Sequence, residues 1–151
     1  MIRLEQSRRY QVRPEAAFSY ITEPRNWHEY WPDLVAPIDL DRSRWSEPGD
    51  TMRLRMRVVG RNTELVMTLQ QINAPSLVTY HTTQAGLPDA QHERHFEATS
   101  DGLVYRLVVT YTPRGGLTGL LDRTIVRRGI SRALRRTLNN LDRQLPELSP
   151  R

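Results

Sequence analysis

Apolar and polar residues alternate strictly in the segment TMRLRMRVV, residues 51–59. Met52, Leu54, Met56 and Val58 occupy every second position, and the three positions between them are arginines. Successive side chains of a β-strand point to opposite faces of the sheet. The segment is therefore predicted to be a half-buried strand whose apolar face meets the core.

This period-two spacing extends through the centre of the chain, from about Ile38 to Thr112. Turn-forming sequences interrupt it at hairpin intervals. They are GRN at 60–62, NAPS at 73–76, AGLPD at 85–89 and SDG at 100–102. The pattern predicts an antiparallel meander of about six strands. A further strand, IRLEQSRRYQV, precedes the meander and brings the total to about seven.

Helical patterns stand on both sides of the predicted meander. PEAAFSYITEP begins with a proline, which the first helical turn tolerates, and Pro24 ends it. RNWHEYWPDL is a second short helix that stops near Pro32. After the breaker PRGG at 113–116, helical spacing continues to Pro146. This order of elements predicts an α+β fold rather than an α/β fold, in one domain over residues 1–151.

The long C-terminal helix is predicted to be amphipathic. At about 100° per residue, one sector of the helix is apolar and is predicted to face the core. Its members are Val126, Ile130, Leu134, Leu138, Leu141 and Leu145. The opposite, solvent-facing sector contains Arg128, Arg132, Arg135, Arg136 and Arg143.

Arg123 and Arg127 do not fit this division, because both project into the apolar sector near the start of the helix. Burial of two unpaired guanidinium groups is costly. One interpretation is that they meet an acidic or carbonyl-bearing ligand. The other is that the first turns are kinked at Gly119 or Gly129, so that both side chains reach solvent.

Composition narrows the class of protein. The chain has 151 residues, the size of one ordinary domain, and its lack of cysteine excludes disulfides and thiolate metal sites. We expect a cytoplasmic protein, because the chain starts without a signal-peptide pattern and no apolar run reaches the ~18 residues of a membrane span. All 22 basic residues are arginine, and the net charge of +5 lies mainly in residues 113–151, where nine arginines oppose three acidic residues.

Motifs for hydrolytic, nucleotide and metal chemistry are missing from the sequence. HERHF at 92–96 resembles the zinc motif HExxH, but its histidines are three apart in a predicted strand and point to opposite faces. There is no nucleophile elbow, P-loop or dinucleotide-binding fingerprint. We therefore expect neither a metal nor a cofactor. The loop AGLPD is a candidate gate for a binding pocket.

Four segments resemble the START-like, or SRPBCC, superfamily, in particular its polyketide cyclase/dehydrase and lipid-transport branch. They are VRPEAAFSYITEPRNWHEYWP, EPGD, QQINAPSLVTYHTTQAG and HFEATSDGLVYRLVVTYTP, and they cover nearly the whole chain. The resemblance implies the helix-grip fold, in which a curved antiparallel sheet wraps a long C-terminal helix around a cavity. It also places Phe96 toward the interior. His92 and Arg94 are on the same face of the strand as Phe96, so they are either polar groups inside the pocket or part of the outer face of an edge strand. In the resembled fold, Arg123 and Arg127 would stand at the mouth of the cavity.

The resemblance and the apolar, aromatic interior together indicate a small-molecule pocket. The candidate ligand contacts are Trp27, Tyr30, Trp31, Met52, Leu54, Met56, Met67, Tyr80, Arg94, Tyr105, Arg123 and Arg127. The first hypothesis is binding of a hydrophobic or aromatic molecule, such as a polyketide-like compound, a lipid or a quinone.

Two further hypotheses remain open from the sequence. The second is an enzyme that resembles the aromatic polyketide cyclases/dehydrases, in which Arg94, His92 or Tyr105 polarises a carbonyl or moves a proton. The third is contact of the arginine-rich helix with RNA, the ribosome or an anionic membrane surface. The nucleic-acid version is the weaker one, because the helix has no aromatic residues for base stacking. Neither the ligand nor the oligomeric state follows from the sequence.

Overall fold

A computed structural model describes residues 1–58 and 60–145 of the chain. Its strands are β1 (Ile2–Tyr10), β2 (Leu34–Ile38), β3 (Thr51–Val58), β4 (Arg61–Asn73), β5 (Leu77–Gln84), β6 (Ala90–Thr99) and β7 (Gly102–Tyr111). Its helices are α1 (Pro14–Thr22), α2 (Trp27–Tyr30), α3 (Gly116–Leu121) and α4 (Arg127–Gln144), with 3₁₀ turns at Pro24–Asn26 and Leu40–Arg42. The helix end predicted at Pro146 lies outside the described residues. None of the described helices is long and apolar enough to cross a bilayer.

The seven strands form one antiparallel sheet in the order β1-β7-β6-β5-β4-β3-β2. Strands β2 to β7 follow the chain as a meander, and β1 pairs with β7, so that Ile2 lies opposite Tyr111. The alternation read from the sequence is confirmed in β3, whose methionines and Leu54 are buried while its arginines are exposed. The predicted α+β, helix-grip fold is therefore correct, with turns at each of the four predicted positions.

The short helices close one end of the sheet. Pro14 occupies the first turn of α1, and the buried Phe18 of that helix packs edge-on against Phe96 of β6 with ring centroids 5.0 Å apart. The Trp27 indole and the Tyr30 hydroxyl both donate to the Ile21 carbonyl, at 2.9 and 2.7 Å. These hydrogen bonds fix α2 to α1 and so hold the Tyr30 ring in the core.

The C-terminal helix lies on the other side of the core, with the predicted face inward. Leu138, Leu141 and Leu145 are buried, and the Tyr10 hydroxyl of β1 donates to the Leu138 carbonyl at 2.8 Å. Val126, Ile130 and Leu134 are part buried nearer the helix start, whereas Arg128, Arg132, Arg135, Arg136 and Arg143 are exposed as predicted. The amphipathic division of the helix is thereby confirmed.

The start of the helix is irregular at a place that the sequence did not indicate. Residues Asp122–Val126 form a π-helical turn between α3 and α4, whereas the sequence suggested a kink at Gly119 or Gly129. The Asp122 carboxylate is buried and accepts hydrogen bonds from the Arg114 guanidinium at 2.8 and 3.0 Å. Gly119 packs so closely on the Arg114 backbone that a Cβ there would collide with the Arg114 carbonyl oxygen. Both contacts fix the helix start to the preceding loop.

Candidate functional site

A cavity of about 170 Å³ lies between the sheet and the C-terminal helix. Its apolar lining consists of Trp31, Met56, Leu65, Leu87, Pro88, Ala90, Leu107, Val108, Val109, Val126, Ile130, Ala133 and Leu134. Its polar lining consists of Tyr80, Thr82, Gln84, His92, Glu93, Arg94 and Thr137. Leu87, Val126 and Ile130 are part exposed, so the cavity reaches solvent between the loop at 85–89 and the C-terminal helix.

Strand alternation places the polar groups on the cavity side. Arg94 of β6 lies opposite Leu107 of β7, and His92 lies opposite Val109, so each polar side chain has an apolar neighbour. On its other side, His92 pairs in register with Tyr80 of β5. The cavity wall is therefore apolar with a polar group at its centre, the usual arrangement of a site that orients a hydrophobic ligand.

Arg94 forms the centre of this polar group and is only 8% exposed. Its Nε and Nη2 atoms donate to the Tyr80 hydroxyl oxygen at 3.1 and 2.8 Å. Its Nη1 atom donates to the hydroxyl oxygens of Tyr30 and Tyr105 at 3.2 and 3.4 Å. The guanidinium also lies 5.4 Å from the Trp31 ring centroid and 5.3 Å from that of Tyr80, within range of a cation–π interaction.

The Arg94 charge has no anionic partner among the residues described. No carboxylate of residues 1–58 or 60–145 lies within 4.0 Å of its nitrogen atoms. Burial lowers the pKa of Arg94, but the oxygens of Tyr105, Tyr80 and Tyr30 raise it by more, so the side chain stays charged. Buried charges are normally paired, because removing an ion from water costs several kcal/mol.

Tyr30 and Tyr105 are neutral at physiological pH. Burial raises the pKa of Tyr30 to about 12, although the Arg94 charge acts in the opposite direction. Burial raises the pKa of Tyr105 further. Their phenol groups therefore solvate the cation without neutralising it.

His92 is the second polar group of the cavity wall. One of its ring nitrogens, Nε2, lies 2.9 Å from the Thr82 hydroxyl oxygen, and its ring stacks on Tyr80 with centroids 4.6 Å apart. His92 is part exposed and lines the cavity. Burial, followed by the nearby charge of Arg94, lowers the pKa of His92 to about 3. The imidazole is consequently neutral and acts as a hydrogen-bonding group.

The structure brings some of the predicted site residues together and separates others. Trp31, Met56, Tyr80, His92 and Arg94 line the cavity. Tyr30 and Tyr105 contact Arg94 from the core without lining the cavity. The remaining apolar candidates, Trp27, Met52, Leu54 and Met67, are buried in the core and do not line the cavity.

Arg123 and Arg127 are exposed and line a separate groove on the outer surface of the helix, not the cavity. The π-helical turn explains this placement. A π-helical turn contains more residues than an α-helical turn, so each residue of Asp122–Val126 advances by less than the 100° used for the sequence projection. The projection therefore fails at this point.

Thr82 and Gln84 also supply polar groups to the cavity, although neither was predicted from the sequence. Both lie at alternate positions from Tyr80 on β5 and therefore on the same face of the strand, so strand alternation could have predicted them. His95 points away from the cavity and its Nε2 atom lies 3.1 Å from the Glu93 carboxylate. Within the residues described, no three potential ligands gather to hold a metal ion.

The chain matches a known protein family over nearly its whole length. A model of the family described as polyketide cyclase/dehydrase and lipid transport matches residues 1–146. The chain belongs to this family. The membership confirms the resemblance read from the four sequence segments and agrees with a cavity built for a hydrophobic ligand. No curated protein sequence is significantly similar to the chain.

Solved structures with this fold come from several organisms. The protein TTHA0849 from Thermus thermophilus has a TM-score of 0.78 at 12% identity, covering 99% of this chain and 100% of the other. A START superfamily protein from Mycobacterium smegmatis has a TM-score of 0.76 at 10% identity, covering 97% and 99%. The di-domain ARO/CYC StfQ from the steffimycin biosynthetic pathway has a TM-score of 0.70 at 18% identity, covering 96% of this chain and 50% of the other. At such identities the likeness establishes the fold.

Proposed function

We propose that the protein binds a hydrophobic or aromatic small molecule, a polyketide-like compound, a lipid or a quinone, in the cavity between sheet and helix. The ligand carries a carbonyl or carboxylate oxygen that accepts a hydrogen bond from Arg94. The single observation behind this proposal is the buried guanidinium, which lines an apolar cavity and has no carboxylate partner among the described residues.

The hydrogen bonds of Arg94 leave room for such an oxygen. A guanidinium has five N–H donors. The four hydrogen bonds to tyrosine hydroxyls use at most four of them. An oxygen of the ligand would take the remaining donor and, if anionic, would supply the missing negative charge. A charge-assisted hydrogen bond in an apolar site is among the stronger polar contacts that a protein offers.

The size of the cavity favours one ring rather than a large ring system. An apolar cavity of roughly 150 Å³ accepts a benzene ring, and this cavity measures about 170 Å³. A ring with its oxygen near Arg94 would fill the space, and an aliphatic tail would leave between the loop at 85–89 and Ile130. The head group of a quinone or a phenolic compound fits this description.

Identification of a retained ligand is the direct test. The protein is purified from its own host, measured by native mass spectrometry, and extracted so that any bound compound can be identified. We expect a hydrophobic compound with a carbonyl or acidic oxygen, which the Arg94→Met variant fails to retain. A protein that is empty, and that binds neither an aromatic carboxylate nor a quinone in titration, would contradict the proposal.

A second candidate function is catalysis of the aromatic cyclase/dehydrase type, and the position of Arg94 favours it. A guanidinium at a ligand carbonyl polarises that carbonyl. Once water has accepted a proton from a methylene group between two ketones of the same chain, the resulting enolate carbon can attack the polarised carbonyl and form a carbon–carbon bond. The new alkoxide then takes a proton, and loss of water completes the ring. His92 is a poor proton acceptor for this reaction at neutral pH, because its pKa is lowered to about 3.

The two candidates differ in what happens to a poly-β-keto thioester. A binding protein returns the compound unchanged, whereas an enzyme releases a cyclised product at a rate above the uncatalysed reaction. Loss of product in Arg94→Ala with binding retained would establish the enzyme. A cyclisation rate that is unaffected by replacing Arg94, His92 and Tyr105 would exclude this mechanism.

A further inference from the structure

The start of the C-terminal helix exposes an apolar stripe to solvent. Leu117, Leu120, Leu121 and Ile125 are 84%, 58%, 47% and 66% exposed. Leu117, Leu120 and Leu121 lie within α3, and Ile125 follows Leu121 by about one turn of the π-helical segment, so this stretch presents all four side chains to solvent. In the same segment only Gly119, Asp122 and Val126 face inward. Four large aliphatic side chains held together in water are unusual for a surface that has no partner.

An arginine groove continues this stripe along the helix. Arg123, Arg127, Arg128, Arg132 and Arg135 line it together with Thr124 and Ser131, and all five arginines are exposed. None of them forms an ion pair with a carboxylate of residues 1–58 or 60–145.

The acidic residue closest in sequence does not neutralise the groove. Asp122 is buried and bound by Arg114, and no acidic residue lies between Asp122 and Asp142 in the sequence. The groove therefore presents concentrated positive charge directly beside the aliphatic stripe.

We propose that this combined surface docks the protein on an anionic lipid bilayer. The exposed leucines and Ile125 enter the boundary between head groups and acyl chains, and the arginines bind lipid phosphates. Charge complementarity selects an anionic surface, and the aliphatic stripe selects a membrane over a nucleic acid, which offers no apolar phase to these side chains. The helix also lacks aromatic residues that stack on bases.

Docking in this orientation brings the cavity to the membrane. Ile125 belongs to the exposed stripe, and the next residue, Val126, lines the cavity. The cavity opens beside the same segment, between the helix and Leu87. A hydrophobic ligand would then exchange between cavity and bilayer without crossing water. The docking surface itself does not depend on the identity of the ligand.

Co-sedimentation with vesicles tests the docking surface. The full chain is mixed with phosphatidylcholine vesicles that contain or lack about one-third phosphatidylglycerol, and with a duplex oligonucleotide as a second polyanion. We expect binding to the anionic vesicles only. Each arginine near an anionic surface contributes about a five-fold change in partitioning, so the triple variant Arg123→Gln, Arg127→Gln, Arg128→Gln should bind about a hundred-fold more weakly.

Two further variants separate the contributions of charge and of the aliphatic stripe. The pair Leu117→Ser, Leu121→Ser keeps every charge, and we expect it to lose about ten-fold per leucine. The matched control Arg55→Gln, Arg57→Gln, Arg61→Gln removes the same charge from exposed positions on β3 and β4, and should keep the wild-type affinity. Circular dichroism and Tm establish that each variant is folded.

Three results of these binding assays distinguish membrane docking from the alternatives. Loss of vesicle binding in both stripe and groove variants, with retention in the control, supports docking. Equal loss in the control would show that only net charge attracts the protein to lipid, and would overturn the proposal. Binding to the oligonucleotide but not to vesicles, insensitive to the leucine replacements, would assign the groove to a nucleic acid instead.

Discussion

Replacement of Arg94 by methionine tests whether this buried charge serves stability or ligand binding. The guanidinium is 8% exposed and is surrounded by the hydroxyls of Tyr30, Tyr80 and Tyr105. Arg94→Met removes a desolvation penalty of several kcal/mol. It also deprives the Tyr80 and Tyr105 hydroxyls of their partner, at about 1–3 kcal/mol each. The Tyr30 hydroxyl keeps its hydrogen bond to the Ile21 carbonyl.

These terms oppose each other and are similar in size, so we expect the free energy of unfolding to change by less than about 2 kcal/mol. Ligand binding should respond much more strongly. Loss of one partner from a buried, hydrogen-bonded charge pair costs about 2–5 kcal/mol, roughly 30- to 4000-fold in Kd. Urea denaturation measures the first quantity. Calorimetric titration with an aromatic carboxylate such as benzoate, and with its neutral methyl ester, measures the second.

Arg106→Met is the matched control, because Arg106 lies on the adjacent strand and forms ion pairs on the sheet surface with Glu97 and Glu5. We expect this variant to bind the carboxylate normally and to lose at most about 1 kcal/mol of stability. If Arg94→Met binds the carboxylate as tightly as the wild type, Arg94 does not hold the ligand. If that variant instead loses more than about 4 kcal/mol of stability, Arg94 is a structural residue.

Three further predictions concern stability. The pKa of His92 is lowered to about 3, so the folded state binds fewer protons than the unfolded chain below pH ~6.5. The free energy of unfolding should therefore fall by about 2 kcal/mol between pH 7 and pH 5. His92→Gln should abolish that part of the pH dependence measured by urea denaturation. Hydrogen bonding to Arg114 lowers the pKa of Asp122 in the folded state, so the ionised carboxylate stabilises the fold above its unfolded-state pKa. This stabilisation is lost as the pH falls through the folded-state pKa. Asp122→Asn should therefore make the free energy of unfolding less dependent on pH in acid, and an unchanged profile would contradict this. Gly119→Ala should lower the free energy of unfolding by about 1–3 kcal/mol, because its Cβ would collide with the Arg114 carbonyl. Gly129→Ala should raise it by up to about 1 kcal/mol, because a Cβ at that position of α4 meets open space. Equal Tm values for the two variants would disprove the close contact at Gly119.

Most of the fold follows from local sequence patterns. In β3 the alternation of methionine and arginine is sufficient, because only one side of that strand faces the core. The buried Leu138 and Leu141 likewise follow from regular helical spacing, since α4 has no irregular turn. The π-helical turn at Asp122–Val126 escaped prediction because it depends on tertiary contacts, chiefly the bond from Arg114 to the buried Asp122.

The candidate site is only partly encoded in these patterns. Parity alone brings His92 and Arg94 to the concave face of the sheet. Parity does not distinguish Met56, which lines the cavity, from Met52 on the same face, which is buried in the core. That difference depends on where α1, α2 and the C-terminal helix cover the sheet, which is a property of the assembled fold.

The pairing of β1 with β7 has a consequence for the order of folding. Each strand from β2 to β7 pairs with its neighbour in the chain, so these hairpins close short loops, which costs little entropy. β1 must wait for β7, the last strand to be made, and its Tyr10 and Arg8 then bind Leu138 and Asp142 of the helix. We therefore expect the meander to form early and the first strand and last helix to dock together late. The cavity is complete only at this final step, so a bound ligand should slow unfolding while leaving early folding unchanged.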